Sequence, residues 1–264
     1  MKISDIIHYP VKSLAGNYLL KSEVYERGLK EDRRYMLIDD KNVFVSQRKY
    51  PLLSQIEVGI SENNIVLRDR RSNETIRHRL EFELQKTEVS IWKDNTSSHF
   101  FLYKDLDEWI SNRIGAPLRF VYMDESDHRP IDPIYGKEDE LVSFADGFPI
   151  LLCNTSSLKD LNKDLSRPIK MDHFRPNLVI DHDQAWAEDK WKKIKIGEVI
   201  LRLPKPCARC KVINIDPDNG EQNSEVLLAL SKKRMVDEKI LFGVNAIVEK
   251  TGSIKRNDPV EIIE

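Results

Sequence analysis

The sequence predicts a β-rich α+β protein with two domains, residues 1–123 and 124–264. Three observations lead there. The first half is a series of short alternating runs separated by polar turns, the pattern of a β-barrel or sandwich. A charged stretch, residues 124–137, contains Pro130 and Pro133 and reads as a linker or excursion. The second half mixes short apolar strand runs with helical periods.

Residues 2–7 form the first predicted strand, broken by Tyr9-Pro10. Residues 18–25 form the second, with a turn at Gly28. Residues 34–39 form the third, ended by the turn cluster Asp39-Asp40-Lys41-Asn42. Residues 43–46, 54–60 and 64–69 continue the series, and strand pattern runs on to Trp92. The period changes over residues 102–114, where Leu106, Trp109, Ile110 and Ile114 recur at helical spacing. Gly115-Ala116-Pro117 ends that helix, and residues 118–123 read as a buried strand.

In the second half, residues 148–153 predict a short buried strand, with Cys153 packing as a small hydrophobe. A helix follows, with Thr155 or Ser156 as its cap and Leu158, Leu161 and Leu165 along one face. Residues 174–180 run from a turn into a strand, and Ile196-Gly197-Glu198-Val199 is a hairpin. Residues 226–233 predict a helix, and residues 242–249 and 258–263 predict closing strands.

Composition narrows the function classes. The chain has 264 residues, 40% hydrophobic and 33% charged, as in an ordinary soluble globular protein. A net charge of −2 gives no bulk electrostatic case for nucleic acid or an anionic membrane. No apolar run approaches the roughly 18 residues of a membrane span. The N-terminus opens on a strand pattern without the features of a signal peptide. Three cysteines fit a reducing compartment, so a cytoplasmic location is expected.

Two of those cysteines lie in Lys205-Pro206-Cys207-Ala208-Arg209-Cys210-Lys211. Residues 198–203 and 212–215 both alternate, which predicts a strand on each side. On that reading Cys210, Val212 and Asn214 share one face of the downstream strand. Lys205, Arg209 and Lys211 surround the sulfurs with positive charge and favour thiolate. The residues leave four readings open: structural zinc, a redox dithiol, incidental thiols, or a single-cysteine ligand to a metal or cofactor.

Other polar residues stand beside turns. Lys12-Ser13 before Ala15-Gly16 offers an ammonium, a hydroxyl and free backbone N–H groups suited to phosphate. Of Arg33 and Arg34, adjacent at a strand start, one can point inward. Arg175-Pro176-Asn177 offers a guanidinium fork and an amide. Together they make a cationic lining for an anionic, planar ligand whose identity composition leaves open.

Taken in order, the chain holds Tyr9-Pro10-Val11-Lys12-Ser13, Asp32-Arg33-Arg34-Tyr35, Asp146-Gly147-Phe148-Pro149 and Phe174-Arg175-Pro176-Asn177. Pro206-Cys207-Ala208-Arg209-Cys210, Phe242-Gly243, Gly252-Ser253-Ile254-Lys255 and Asp258-Pro259 follow. This series resembles the MOSC-domain proteins that carry an N-terminal β-barrel domain. It is similar to their bacterial N-hydroxylated-base-detoxifying reductases and mitochondrial amidoxime-reducing components. Nearly the whole chain is covered; each motif alone is weak, and the ordered set is specific.

The resemblance implies an N-terminal β-barrel-like domain followed by a C-terminal MOSC β-barrel domain with flanking helices. It implies a molybdenum cofactor, Mo-molybdopterin, with Cys210 as the metal ligand. Lys12, Ser13 and Arg34 match positions at the pterin phosphate, and Arg175 and Asn177 match pterin contacts. Asp146, Gly147 and Phe148 match a loop beside the metal, which places Asp146 with Cys210 at the catalytic centre. Two departures bear on substrate preference. Val244 stands where relatives often carry Gln, and Gly147-Phe148 replaces small hydroxyl residues of the mitochondrial branch.

The expected function is a molybdenum-dependent oxidoreductase that reduces N-hydroxylated small molecules by N–O cleavage. Three cysteines, two of them at the metal loop, cannot ligate a [2Fe–2S] cluster. Electrons are therefore expected from a separate protein, a flavin reductase with a ferredoxin or cytochrome-type carrier. The alternatives are a non-catalytic molybdenum-cofactor carrier or sulfur-transfer module, and a zinc-stabilised structural protein. MOSC domains also end cofactor sulfurases, but the chain has no room for the pyridoxal-phosphate domain of those enzymes.

Overall fold

A computed structural model describes residues 1–61, 64–80, 84–101 and 104–264. The fold is β-rich α+β, 43% strand and 18% helix. The first half contributes β1 (Lys2–His8), β2 (Asn17–Leu19), β3 (Lys21–Tyr25), β4 (Gly28–Leu29), β5 (Tyr35–Ile38), β6 (Ile56–Ser61) and β7 (Asn64–Asp69). β8 (Thr75–Arg79), β9 (Leu84–Ile91), β10 (Asp94–Phe101), α1 (Lys104–Ile114) and β11 (Arg119–Tyr122) complete it. The second half contributes β12 (Ile150–Asn154), α2 (Thr155–Asn162), β13 (Leu178–Asp181), β14 (Lys193–Ile196), β15 (Val199–Ala208) and α3 (Glu225–Arg234). It ends with β16 (Met235–Val236), β17 (Lys239–Lys250), β18 (Gly252–Lys255) and β19 (Val260–Ile262).

The largest sheet has nine strands in the order β19-β14-β15-β17-β12-β13-β1-β2, with β16 attached to β17. Its alternating faces bury Ile3, Ile6, Ile150, Leu178, Ile194, Leu201 and Val244 in one core. Each such side chain stabilises the fold by about 1.5–3 kcal/mol. Smaller sheets are β5-β11-β10-β9, β6-β7-β8 and β18-β3-β4. Leu37, Ile56, Leu67 and Phe120 pack with Leu106 and Ile110 of α1 in a separate core.

The start of the chain joins the two halves. β1 pairs antiparallel with β13, and β3 pairs with β18. The loop after β1 then crosses to the other sheet system. Val11 bridges Tyr35, and the Lys12 N–H donates to the Tyr35 carbonyl at 2.8 Å. Lys12 and Ser13 are thereby fixed at the seam.

Several elements differ from the sequence reading. Residues 18–25 split at the exposed Leu20, and β2 and β3 enter different sheets. Residues 43–46 make only isolated bridges, Phe44 to Ile38 and Val43 to Ser90. β10 was not predicted: its sequence is polar, and an unbroken register with β9 from Asp94↔Ile91 to Phe101↔Leu84 holds it. The helix expected from residue 102 is described from Lys104; Leu102 and Tyr103 lie outside the described residues. Asn154, not Thr155 or Ser156, caps α2 by accepting the Ser156 N–H. The segment 124–137 is no slack linker, because Asp127, Arg129 and Ile131 are buried.

The change that matters most follows the cysteines. No strand forms over residues 212–215. Lys211–Asn214 is a single 3-10 turn with Cys210 at its N-cap. Cys207 lies near the end of β15, whose pairing with β17 is irregular between Pro206 and Ala208. Pro204 and Pro206 bring no N–H to that ladder, so the strand loosens where the cysteines begin.

Candidate active site

A cavity of about 350 Å³ opens at the seam between the halves. Its size suits a small molecule or cofactor. Lys12, Ser13, Asp146, Gly147, Phe148, Arg175, Asn177 and Cys210 all line it. Cys207 lines it too. Arg34 does not. Its guanidinium turns away to the Met123 carbonyl (Nε, 3.0 Å) and to Glu125 (2.6 Å). Arg33 occupies the cavity wall instead, so the expected position of Arg34 is corrected. Val244 is buried in the core, and its neighbour Asn245 faces the cavity.

Arg33 reaches the cavity because its backbone is left-handed, with φ of 51°, just before β5 begins. Strand alternation therefore does not govern its direction. Its Nη1 donates to Asp32 and, at 3.0 Å, to Asn177 Oδ1. Asp32 Oδ1 also accepts the Tyr9 N–H at 2.8 Å and Asn177 Nδ2 at 3.0 Å. Asn177 further donates to the Ile7 carbonyl and accepts the Leu151 N–H. This buried knot ties β1, the Arg33 turn and β13 together, and each member satisfies the others.

Lys12 is nearly buried. Its Nζ donates to the Phe144 carbonyl at 2.7 Å and to Asp146 Oδ1 at 2.6 Å. Burial lowers its pKa, and Asp146 pulls it back up. The Asp146 side chain is 72% exposed, although protein surrounds it at the cavity. That enclosure works to raise its pKa. The Lys12 ammonium and the Trp92 indole N–H, 3.2 Å from Oδ1, outweigh it and hold the carboxyl well below the usual range. Oδ2 has no donor among the described residues. Arg129 braces this loop from behind, donating to the carbonyls of Ser143 and Ala145. Ser13 is also left-handed; its Oγ donates to the Val45 carbonyl, and its carbonyl accepts Gln47 Nε2.

The remaining cations are less occupied. Arg175, left-handed at φ 54°, lays its guanidinium over Tyr9 at 4.2 Å and makes no hydrogen bond or ion pair through it among the described residues. Burial lowers its pKa to about 10, which leaves it cationic at neutral pH. Arg48 stacks on Trp92 at 4.1 Å with its Nε buried and unpartnered. Arg209 Nη1 donates to Cys207 Sγ at 3.1 Å and Nη2 to the Phe174 carbonyl, while its Nε is orphaned. Against Lys12, Arg33, Arg48, Arg175, Lys205 and Arg209, Asp146 is the one lining carboxylate among the described residues.

Cys210 and Cys207 are half-exposed at the cavity, and Cys153 is fully buried. Burial pushes the Cys153 thiol pKa up, which suits packing rather than chemistry. No group of three or more His, Cys, Asp or Glu able to hold a metal occurs among the described residues. A closed zinc site, which takes four protein ligands, has no basis there. One soft sulfur donor beside orphaned N–H groups and unpaired cations fits a metal carried by its own anionic organic ligand. Arg48 and Trp92 were not anticipated as lining residues, because isolated residues far apart in sequence carry no local motif; Lys205, expected beside the cysteines, lines the cavity with them.

The MOSC domain profile matches residues 139–261, and the MOSC N-terminal beta barrel domain profile matches residues 1–117. The chain belongs to the MOSC-domain proteins with this N-terminal domain. It is 28% identical to mitochondrial amidoxime-reducing component 1 of Homo sapiens, over 99% of this chain and 82% of that protein. Mitochondrial amidoxime reducing component 2 of Rattus norvegicus is also 28% identical, over 98% and 82%. Molybdenum cofactor sulfurase of Homo sapiens is 27% identical over 92% of this chain, but over only 29% of its own length. Among solved structures, the YUAD protein from Bacillus subtilis aligns over 98% of this chain and 93% of its own, with a TM-score of 0.45 and 9% identity.

Proposed function

We propose that the cavity holds a molybdenum cofactor and that the protein reduces N-hydroxylated small molecules, with electrons from a separate redox protein. The observation that carries this reading is the meeting of Cys210 with unpaired cations in one cavity. Cys210 Sγ would hold the metal, Arg175 and Lys12 would meet the pterin and its phosphate, and Ser13, Arg33 and Asn177 would frame that pocket. The bound cofactor supplies two-electron redox chemistry. Overall, an N–OH group, two electrons and two protons give N–H and water.

The chain's own residues orient and charge the site. Arg209 engages Cys207 Sγ and holds that sulfur to itself. Asp146, ionised at neutral pH, presents Oδ2 as an acceptor for a substrate N–H or O–H. Lys12 keeps a proton at Nζ against Oδ1 of the same carboxylate. Phe148 and Trp92 give a flat substrate apolar surface.

The test compares two variants made in a cofactor-competent host. Cys210→Ser is expected to abolish benzamidoxime reduction in a donor-coupled assay and to change the metal's spectrum. Cys207→Ser is expected to keep molybdenum and much of the activity. Stoichiometric zinc without molybdenum in the wild type would sink the reading. Similarity to the sulfurase favours a second reading, a cofactor carrier or sulfur-transfer module. Molybdenum-loaded protein that never reduces an amidoxime with any carrier would select it.

A further inference from the structure

We propose that Lys205 selects substrates: its ammonium, seated on Tyr135 and Phe148, binds a carboxylate borne by the N-hydroxylated compound. This deepens the reductase reading and rests on it. Lys205 Nζ lies 4.1 Å from the Tyr135 ring centroid and 5.1 Å from that of Phe148. The two rings meet edge to face at 5.7 Å. Lys205 and Phe148 both line the cavity. Among the described residues the ammonium has no hydrogen-bond acceptor and no carboxylate partner. Its three N–H donors are therefore open. Lys12, in the same cavity, spends its donors on Asp146 and Phe144.

The surroundings hold Lys205 without neutralising it. Pro204 and Pro206 flank it in β15, fix the backbone on both sides and offer no N–H of their own. The local donor toward the cavity is thus the side chain. The aromatic shelf is anchored to the same strand. Arg202 donates to the Tyr135 carbonyl at 2.7 Å and pairs with Glu140. Ring faces attract an ammonium and leave its charge intact. Lys205 is also on a different element from Lys12, Ser13 and Arg33, the residues suited to the cofactor's phosphate. It shares its corner with the Asp146–Phe148 loop, where the substrate is expected. A charge-assisted contact there is worth about tenfold or more in affinity.

The probes are benzamidoxime and 4-carboxybenzamidoxime, used on the molybdenum-loaded protein. Wild-type KM is expected to be about tenfold lower for the carboxylate. Lys205→Gln collapses that preference to within about twofold through KM more than kcat, and Lys205→Arg keeps it. Calorimetric titration of the unreduced protein gives the same preference without turnover. Wild-type protein without the preference, or Lys205→Gln that retains it, overturns the proposal. So does Lys205→Gln that purifies without molybdenum, because the lysine then serves the cofactor. If the wild type turns over neither compound but binds the carboxylate preferentially through Lys205, the reductase reading fails and only the carboxylate site at Lys205 remains.

Discussion

Arg33 and Arg175 share one aromatic ring and live in opposite circumstances. Their guanidiniums lie 4.5 and 4.2 Å from the centroid of Tyr9. Arg33 is tied to Asp32, Asn177 and the Arg175 carbonyl. Arg175 is tied through its side chain to nothing but the ring among the described residues. The difference shows two layers of positive charge. One is satisfied by the protein and fixes the frame; the other is held in place and left for a ligand. Arg175 is half-buried, and taking an unpaired charge even partly out of water is costly unless something arrives to meet it. Arg175 therefore marks where an anion belongs more directly than Arg33 does.

The largest effect should come from breaking the satisfied layer. Asp32→Ala removes the acceptor of the Tyr9 N–H, of Asn177 and of Arg33 at once. Breaking a buried pair of this kind costs about 3–5 kcal/mol. Urea unfolding of the apo protein measures it, as a lower midpoint at constant slope. A loss below about 1 kcal/mol would mean that the knot does not hold the frame.

A smaller effect should come from the open layer, and in a different observable. Arg175→Gln removes a cation that Arg33 repels, so apo stability should stay within about 0.5 kcal/mol of wild type or rise. Molybdenum retention on dialysis should fall by about ten- to a hundredfold in affinity. Arg33→Gln should lose both stability and retention. If Arg175→Gln destabilises the apo protein as much as Arg33→Gln does, the two arginines are not different in kind.

The contrast between these arginines could not be read from the sequence. Adjacent Arg33 and Arg34 invite the rule that neighbours on a strand face opposite ways. Arg33, however, lies outside β5 in a left-handed turn, and long-range contacts to Asn177 and the Arg175 carbonyl set its direction. The strands that bury one face were legible: β7, Asn64–Asp69, has the predicted bounds because its alternation matches its burial. The run Val212-Ile213-Asn214-Ile215 has the same look and folds as a 3-10 turn. Four residues do not distinguish a strand from a buried turn. Lys12, Ser13, Arg175, Asn177 and Cys210 lie in the ordered motifs and line the cavity, and Lys205 lies beside the cysteines, whereas Arg48 joins them only in the folded chain.

The smallest effect concerns a half-buried carboxylate outside the cavity, set against Asp146 inside it. Asp146 has its pKa lowered, so it contributes stability above its unfolded pKa near 3.8 that is lost as pH falls toward the folded value. Asp107 in α1 has no ion pair among the described residues, and its Oδ1 accepts the Phe120 N–H at 2.8 Å. Burial raises its pKa to about 6 against the pull of that N–H and of Arg119. Between pH 4 and 6 the folded state binds the extra proton, so stability falls as pH rises through that window. Asp107→Asn keeps an oxygen for Phe120 and removes the charge. After discounting for partial exposure, it should stabilise the protein by about 1 kcal/mol above pH 7 and by nothing near pH 3.5. Thermal unfolding of both proteins across that range checks the sign. A gain that does not depend on pH would come from helix propensity or packing. Asp107 would then carry no desolvation penalty of its own, and its contrast with the paired Asp146 would fail.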